Sequence, residues 1–97
     1  MASRYAAGMS VDDRIEAALA SDECAGVATL LAALVYSLRA EGMSKQEIGA
    51  AFQGARERMR VEGRREQAAA VGAIVAVLAG ECAAGARLLP NEPDVKL

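Results

Sequence analysis

The sequence predicts an all-α protein, a bundle of four helices, and three observations carry that reading. Alanine supplies 23 of the 97 residues, the aromatics number three (Tyr5, Tyr36, Phe52), and few β-branched residues fall outside two apolar stretches, a composition suited to helix. The two stretches, 24–38 (CAGVATLLAALVYSL) and 68–86 (AAAVGAIVAVLAGECAAGA), are apolar around nearly the whole helix, the second interrupted only by Glu81. Serine-led helix starts and glycine stops divide the chain into segments of helical length.

Residues 1–9 read as a flexible leader. The first helix is expected over 11–21, where Ser10 with Asp13 three residues on forms a start like a capping box, Asp standing in for the usual Glu. Val11, Ile15, Ala18 and Leu19 make a narrow apolar stripe opposite Asp12, Asp13 and Glu16, so this helix covers the others from one side. The second is expected over 23–41, capped by Asp22 and stopped at Gly42, a residue that tolerates the left-handed C-terminal conformation. Val27, Leu30, Leu31, Leu34, Val35 and Leu38 fall on one arc of it. Ala25, Ala28, Thr29, Ala32, Ala33 and Ser37 fall on the other, with Tyr36 among them.

Ser44 and Glu47 form a capping box for a third helix over 45–61, whose stripe is Ile48, Ala51, Phe52, Ala55 and Met59. Gly63 breaks the chain in a polar stretch where no packing offsets its cost of about 1 kcal/mol relative to Ala. The fourth helix is expected over 65–87, with Val71, Ile74, Val75, Val77, Leu78 and Cys82 on a large arc and Ala69, Gly72, Ala76, Ala79, Gly80 and Ala83 on a small one. The domain then spans 10–89. Pro90 and Pro93 preclude further helix, so 90–97 reads as a flexible tail unless Leu88 and Leu89 dock.

Segregation of large from small residues is not a property of composition. Gly72, Ala76, Gly80 and Ala84 recur every fourth position, and Ala25, Ala28 and Ala32 line the second helix, so both helices offer faces that another backbone can approach closely. A chain of this size buries only about 60–65 per cent of its unfolded surface. Two helices without a wet side need covering on both; close contact between the second and fourth helices supplies part of it, and because four helices cannot fully enclose two such helices a homodimer is the favoured expectation.

The net charge of −2 provides no global field for polyanions or anionic lipid. The first ten residues lack the apolar run of a secretory signal and neither apolar stretch reaches the roughly 18–20 charge-free residues of a spanning helix, so a cytoplasmic protein without a membrane partner is expected. Cys24 and Cys82 have no metal or CxxC spacing and read as core thiols. Glu81 falls on the large arc, where burial would raise its pKa unless it reaches water or Arg87 near the helix end. With no histidine, no nucleophile beside a base, no metal-ligand cluster and no phosphate loop, the chain is expected not to be an enzyme and to need no cofactor.

The run 56–65 carries five arginines, Arg56, Arg58, Arg60, Arg64 and Arg65, against Glu57 and Glu62. Arginine suits bidentate recognition of carboxylate or phosphate, while a charged helical face also forms internal pairs such as Arg58 with Glu62. The segment LRAEGMSKQEIGAAF, residues 38–52, resembles the entry to a helix-turn-helix of transposase and sigma-factor modules, with Ile48, Gly49 and Phe52 in the roles of its first helix. It departs after Phe52, where Gln53 and Gly54 replace the turn glycine and the apolar residue that follows, and where Glu62 takes the last apolar position. The resemblance covers about 15 of the 97 residues. It implies a recognition helix carrying Arg56, Arg58 and Arg60 to DNA, whereas the helical pattern runs on through 53–54 without a turn.

Protein binding is the favoured expectation, through Arg56, Arg58, Arg60, Arg64, Arg65 and Tyr36. Small helical inhibitors, anti-activators and chaperone-like adaptors, among them phage proteins that block host machinery, supply the analogy. A DNA-binding regulator using the same arginines is the alternative.

Overall fold

Both serine-led helix starts form as their side chains dictate. Ser10 Oγ accepts the N–H of Asp13 at 3.1 Å while Asp13 accepts the N–H of Ser10 at 3.4 Å. Ser44 and Glu47 make the same reciprocal pair at 3.1 and 3.0 Å. Each box satisfies N–H groups that a helix start leaves without partners. The computed structural model describes residues 10–20, 26–80, 88, 89 and 95, and among these the ordered elements are four helices: α1 (Val11–Leu19), α2 (Val27–Ala40), α3 (Lys45–Val61) and α4 (Arg65–Leu78). The all-α four-helix bundle is therefore the observed fold.

Glycines set the stops. At the end of α2, Gly42 takes φ +106°, its N–H donates to Arg39 O at 3.1 Å, and the N–H of Met43 donates to Leu38 O at 3.1 Å, the paired bonds of a Schellman ending. Gly63 ends α3 in the same way, with the N–H of Arg64 on Met59 O at 2.8 Å.

Two expected boundaries are corrected by the same physics. The fourth helix stops at Leu78, not 87, because Gly80 adopts φ +85° and donates its N–H to Val77 O at 3.1 Å. Apolar neighbours on both sides carried the periodicity across a residue that the backbone uses as a stop. The second helix starts at Val27, not 23, because Gly26 (φ +84°, ψ 155°) is not helical. Asp22, Cys24 and Ala25 lie outside the described residues, as do Glu81, Cys82 and Ala84. The first helix ends at Leu19, with Ala20 as its cap.

The predicted stripes meet in one core. Ile15 enters from α1, Leu31, Leu34, Val35 and Leu38 from α2, Ile48, Phe52, Ala55 and Met59 from α3, and Val71, Ile74, Val75 and Leu78 from α4. Phe52 is fully buried, and truncating such a ring to alanine costs about 3–5 kcal/mol. The most extensive helix pairing is α3 with α4, and α1 lies across α2 and α3. The small face of α2 is left open: Ala28, Thr29, Ala33 and Ser37 are exposed and Ala32 is half-buried.

Beyond α4, Leu89 and Val95 are buried at 8% and 4% exposure. Tyr36 Oη accepts the N–H of Leu89 at 3.3 Å, Lys45 Nζ donates to Leu89 O at 3.4 Å, and the N–H of Val95 donates to Leu78 O at 2.8 Å. These bonds hold Leu89 at φ +51°, a left-handed conformation that costs a residue with a β-carbon about 1–2 kcal/mol. Of the expected tail, Val95 is the residue described, and it is docked.

Candidate partner-binding face

The arginines of 56–65 separate according to helical spacing. Residues four apart share a face, so Arg56 and Arg60 point together while Arg58, two positions away from each, turns to the opposite side. That side meets α1. Arg58 pairs with Asp12 at 2.9 Å and Glu16 at 3.2 Å. Arg64, which follows the glycine stop of α3, grips both oxygens of Glu16 at 2.5 and 2.7 Å and also reaches Glu62 at 3.2 Å. The hydrogen bonds from Arg64, foremost, hold the Glu16 carboxyl below the usual glutamate range; partial desolvation opposes them, and the attraction of Arg64 and Arg58 adds to them. The Arg64 guanidinium is correspondingly raised. The expected pairing of Arg58 with Glu62 is thus replaced by pairing with α1, because α1 brings its acidic face to Arg58 while Glu62 serves Arg64.

The other face carries the arginines that remain turned outward. Arg60 pairs with Glu57 at 2.9 Å, and Arg56 lies 3.8 Å from the same carboxylate while donating to Gln53 Oε1 at 3.2 Å. One acid therefore serves two cations. Arg65, exposed at the start of α4, has no ion-pair partner among the described residues. Beneath Arg56 and Arg60 runs a groove of about 410 Å³ between α3 and α4, with Ala68, Ala69, Gly72, Val75 and Ala76 along it. A β-carbon at Gly72 would come within 3.2 Å of Arg56 Nε and 3.3 Å of its Cδ, so the arm of Arg56 lies directly on the glycine.

The remaining predicted residues are scattered. Ala28 and Ala32 lie on the open face of α2, and Tyr36, 47% exposed, shares that helix with its hydroxyl turned to Leu89. Gly72 and Ala76 line the groove, and Gly80 is the stop beyond α4. The turn that the helix-turn-helix resemblance requires at Gln53 and Gly54 is not formed there, since α3 runs unbroken through both, and Arg58 is held against α1.

Two buried cations escaped the sequence reading. Arg14 is 6% exposed and forms a two-bond pair with Glu41 at 2.8 and 2.5 Å, which holds the Glu41 carboxyl below the usual range, chiefly through the hydrogen bonds. Lys45 is 4% exposed and reaches Leu89 O. The signal was present in the spacing: Arg14 stands three residues from Val11 and four from Ala18, and Lys45 three from Ile48, so both lie on apolar stripes.

Among the described residues no cluster of three or more His, Cys, Asp or Glu is arranged to hold a metal, and no helix is long and apolar enough to cross a membrane. Comparison with protein-family models, with curated proteins and with solved structures gave no match.

Proposed function

We propose that the chain is a non-enzymatic, cytoplasmic protein-binding module of the inhibitor, anti-activator or adaptor kind, engaging its partner through the outward arginines of α3 and α4 and working as a homodimer. The observation that carries this reading is the division of the arginines. Arg58 and Arg64 are spent on α1, whereas Arg56 and Arg60 stand over a groove lined mostly by small residues and Arg65 is exposed at the start of α4. Surface cations sharing one acid add little to stability, and a groove of this shape suits a protein surface. The uncovered small face of α2, flanked by Tyr36, supports the dimer, since it permits close approach of a second helix.

Affinity capture from the native host tests the binding reading: the wild-type chain is expected to retain a protein that the Arg56→Ala/Arg60→Ala/Arg65→Ala variant does not. Retention of nothing sinks it. Duplex DNA binding that falls steeply with salt would replace it with the regulator reading. A light-scattering mass equal to one chain at tens of micromolar removes the dimer.

A further inference from the structure

We propose that the α3–α4 groove receives an acidic amphipathic helix of the partner, laid with a small-residue face over Gly72 and its carboxylates on Arg56, Arg60 and Arg65; this rests on the protein-binding reading above. The floor permits the approach. Along α4, Ala69, Gly72 and Ala76 share one face over about 10 Å of helix, bordered by Val75 and overlain at Gly72 by the arm of Arg56, and α3 supplies the opposing wall. Helix axes pack about 8–10 Å apart, and small residues allow the near end of that range. The groove is open along its length, so it covers one side of an elongated ligand and does not enclose a small one. An amphipathic helix seated between two helices is a recurring mode of recognition.

Charge selects the sign of the occupant. Glu57 is the acid ion-paired with both Arg56 and Arg60, Glu62 is drawn to Arg64, and Arg65 continues the α4 face toward its start beside Glu66. The arm of Arg56 lies over Gly72 with its side chain 37% exposed, so an incoming helix lifts it off the glycine and turns its guanidinium toward the helix's own carboxylates. Arg56 and Arg60 are one helical turn apart, about 6 Å along α3, and so match carboxylates four residues apart on an aligned helix. A duplex presents a charge about every 1.7 Å and demands a longer basic track than three arginines bordered by Glu57, Glu62 and Glu66.

The test uses a designed helical peptide of about five turns, with alanine along one face and glutamates four residues apart at its edge, titrated by fluorescence anisotropy. Saturable binding is expected, weakened about tenfold or more by Arg56→Glu/Arg60→Glu and lost in Gly72→Leu, with no binding by the lysine-for-glutamate peptide. Ala69→Leu, at an exposed position on the groove rim, is a second blocking variant that leaves the core untouched. Failure of the acidic peptide to bind, or equal binding by wild type and Ala69→Leu, overturns the proposal. Capture from host extract separates the two levels. A protein retained equally by wild type and Ala69→Leu overturns the groove while the binding reading stands, and retention of nothing overturns both.

Discussion

Gly49 and Gly72 both sit inside helices, and alanine at either should gain up to about 1 kcal/mol of helix propensity. The surroundings give the two substitutions opposite signs. A β-carbon at Gly49 would lie 2.5 Å from Val95 Cγ1, 3.0 Å from its Cγ2 and 3.2 Å from its Cβ. These methyls stand one bond from a stiff, branched β-carbon, and the backbone behind them is tied to Leu78 O, so the valine has no easy way to yield. Gly49→Ala therefore undocks Val95. Burial of that side chain is worth about 1.5–3 kcal/mol and its backbone hydrogen bond about 1 kcal/mol. The helix propensity gained and about 1 kcal/mol of regained chain freedom offset part of this, leaving a net loss of about 0.5–2 kcal/mol. For a domain of this size that lowers Tm by roughly 2–16 °C in a thermal melt followed by circular dichroism. The control is the same change in a Val95→Ala background, where the methyls are gone and Gly49→Ala should stabilise by up to about 1 kcal/mol. A rise in Tm for Gly49→Ala in the wild-type background would refute the docking of Val95 on α3.

At Gly72 the neighbour is the arm of Arg56, which moves readily, so Gly72→Ala should stabilise by about 0.5–1 kcal/mol in urea melts; a loss of that size would show the arm to be fixed. Gly80→Leu should destabilise by about 1–2 kcal/mol through its left-handed φ without changing the mass in light scattering, and a change in mass with unchanged stability would place Gly80 in a helix contact instead. Glu16 titrates below the usual glutamate value, so its pairing contributes stability above the unfolded value of about 4.3 and loses it as pH falls through the lower folded value. Glu16→Gln should accordingly be less stable than wild type near neutral pH and show a shallower acid limb in urea melts; parallel limbs would remove Glu16 from the linkage.

What the sequence disclosed and what it withheld follow a physical division. Ser10, Ser44 and Gly42 act on backbone groups within a few residues of themselves, so their roles are written in local chemistry and the structure repeats them. The stripe on α3 is equally local in origin, since burial selects its period. Gly80 and Gly26 misled because periodicity measures side chains while the stop is a backbone event. Between apolar neighbours a glycine that leaves the helix looks the same as one that permits close packing. Val95 was illegible for another reason: its hold depends on Gly49 and Leu78, and no spacing within the tail reports on them.

The arginines show where the limit falls for function. Their division into two faces was legible, since 56 and 60 must diverge from 58 on any α-helix. Which face was to be consumed was not. That depended on α1 arriving with Asp12 and Glu16 on the side of Arg58, and on the stop at Gly63 turning Arg64 back toward the same carboxylate. Once α1 is in place, Arg58 and Arg64 act as fasteners for a short helix that is otherwise held by Ile15, the Arg14–Glu41 pair and a few half-buried neighbours. Arg56 and Arg60 are left over a floor of small residues, sharing Glu57. The outward charge of this face is thus set by subtraction, and loss of the acidic face of α1 would enlarge the basic surface as well as loosen the fold.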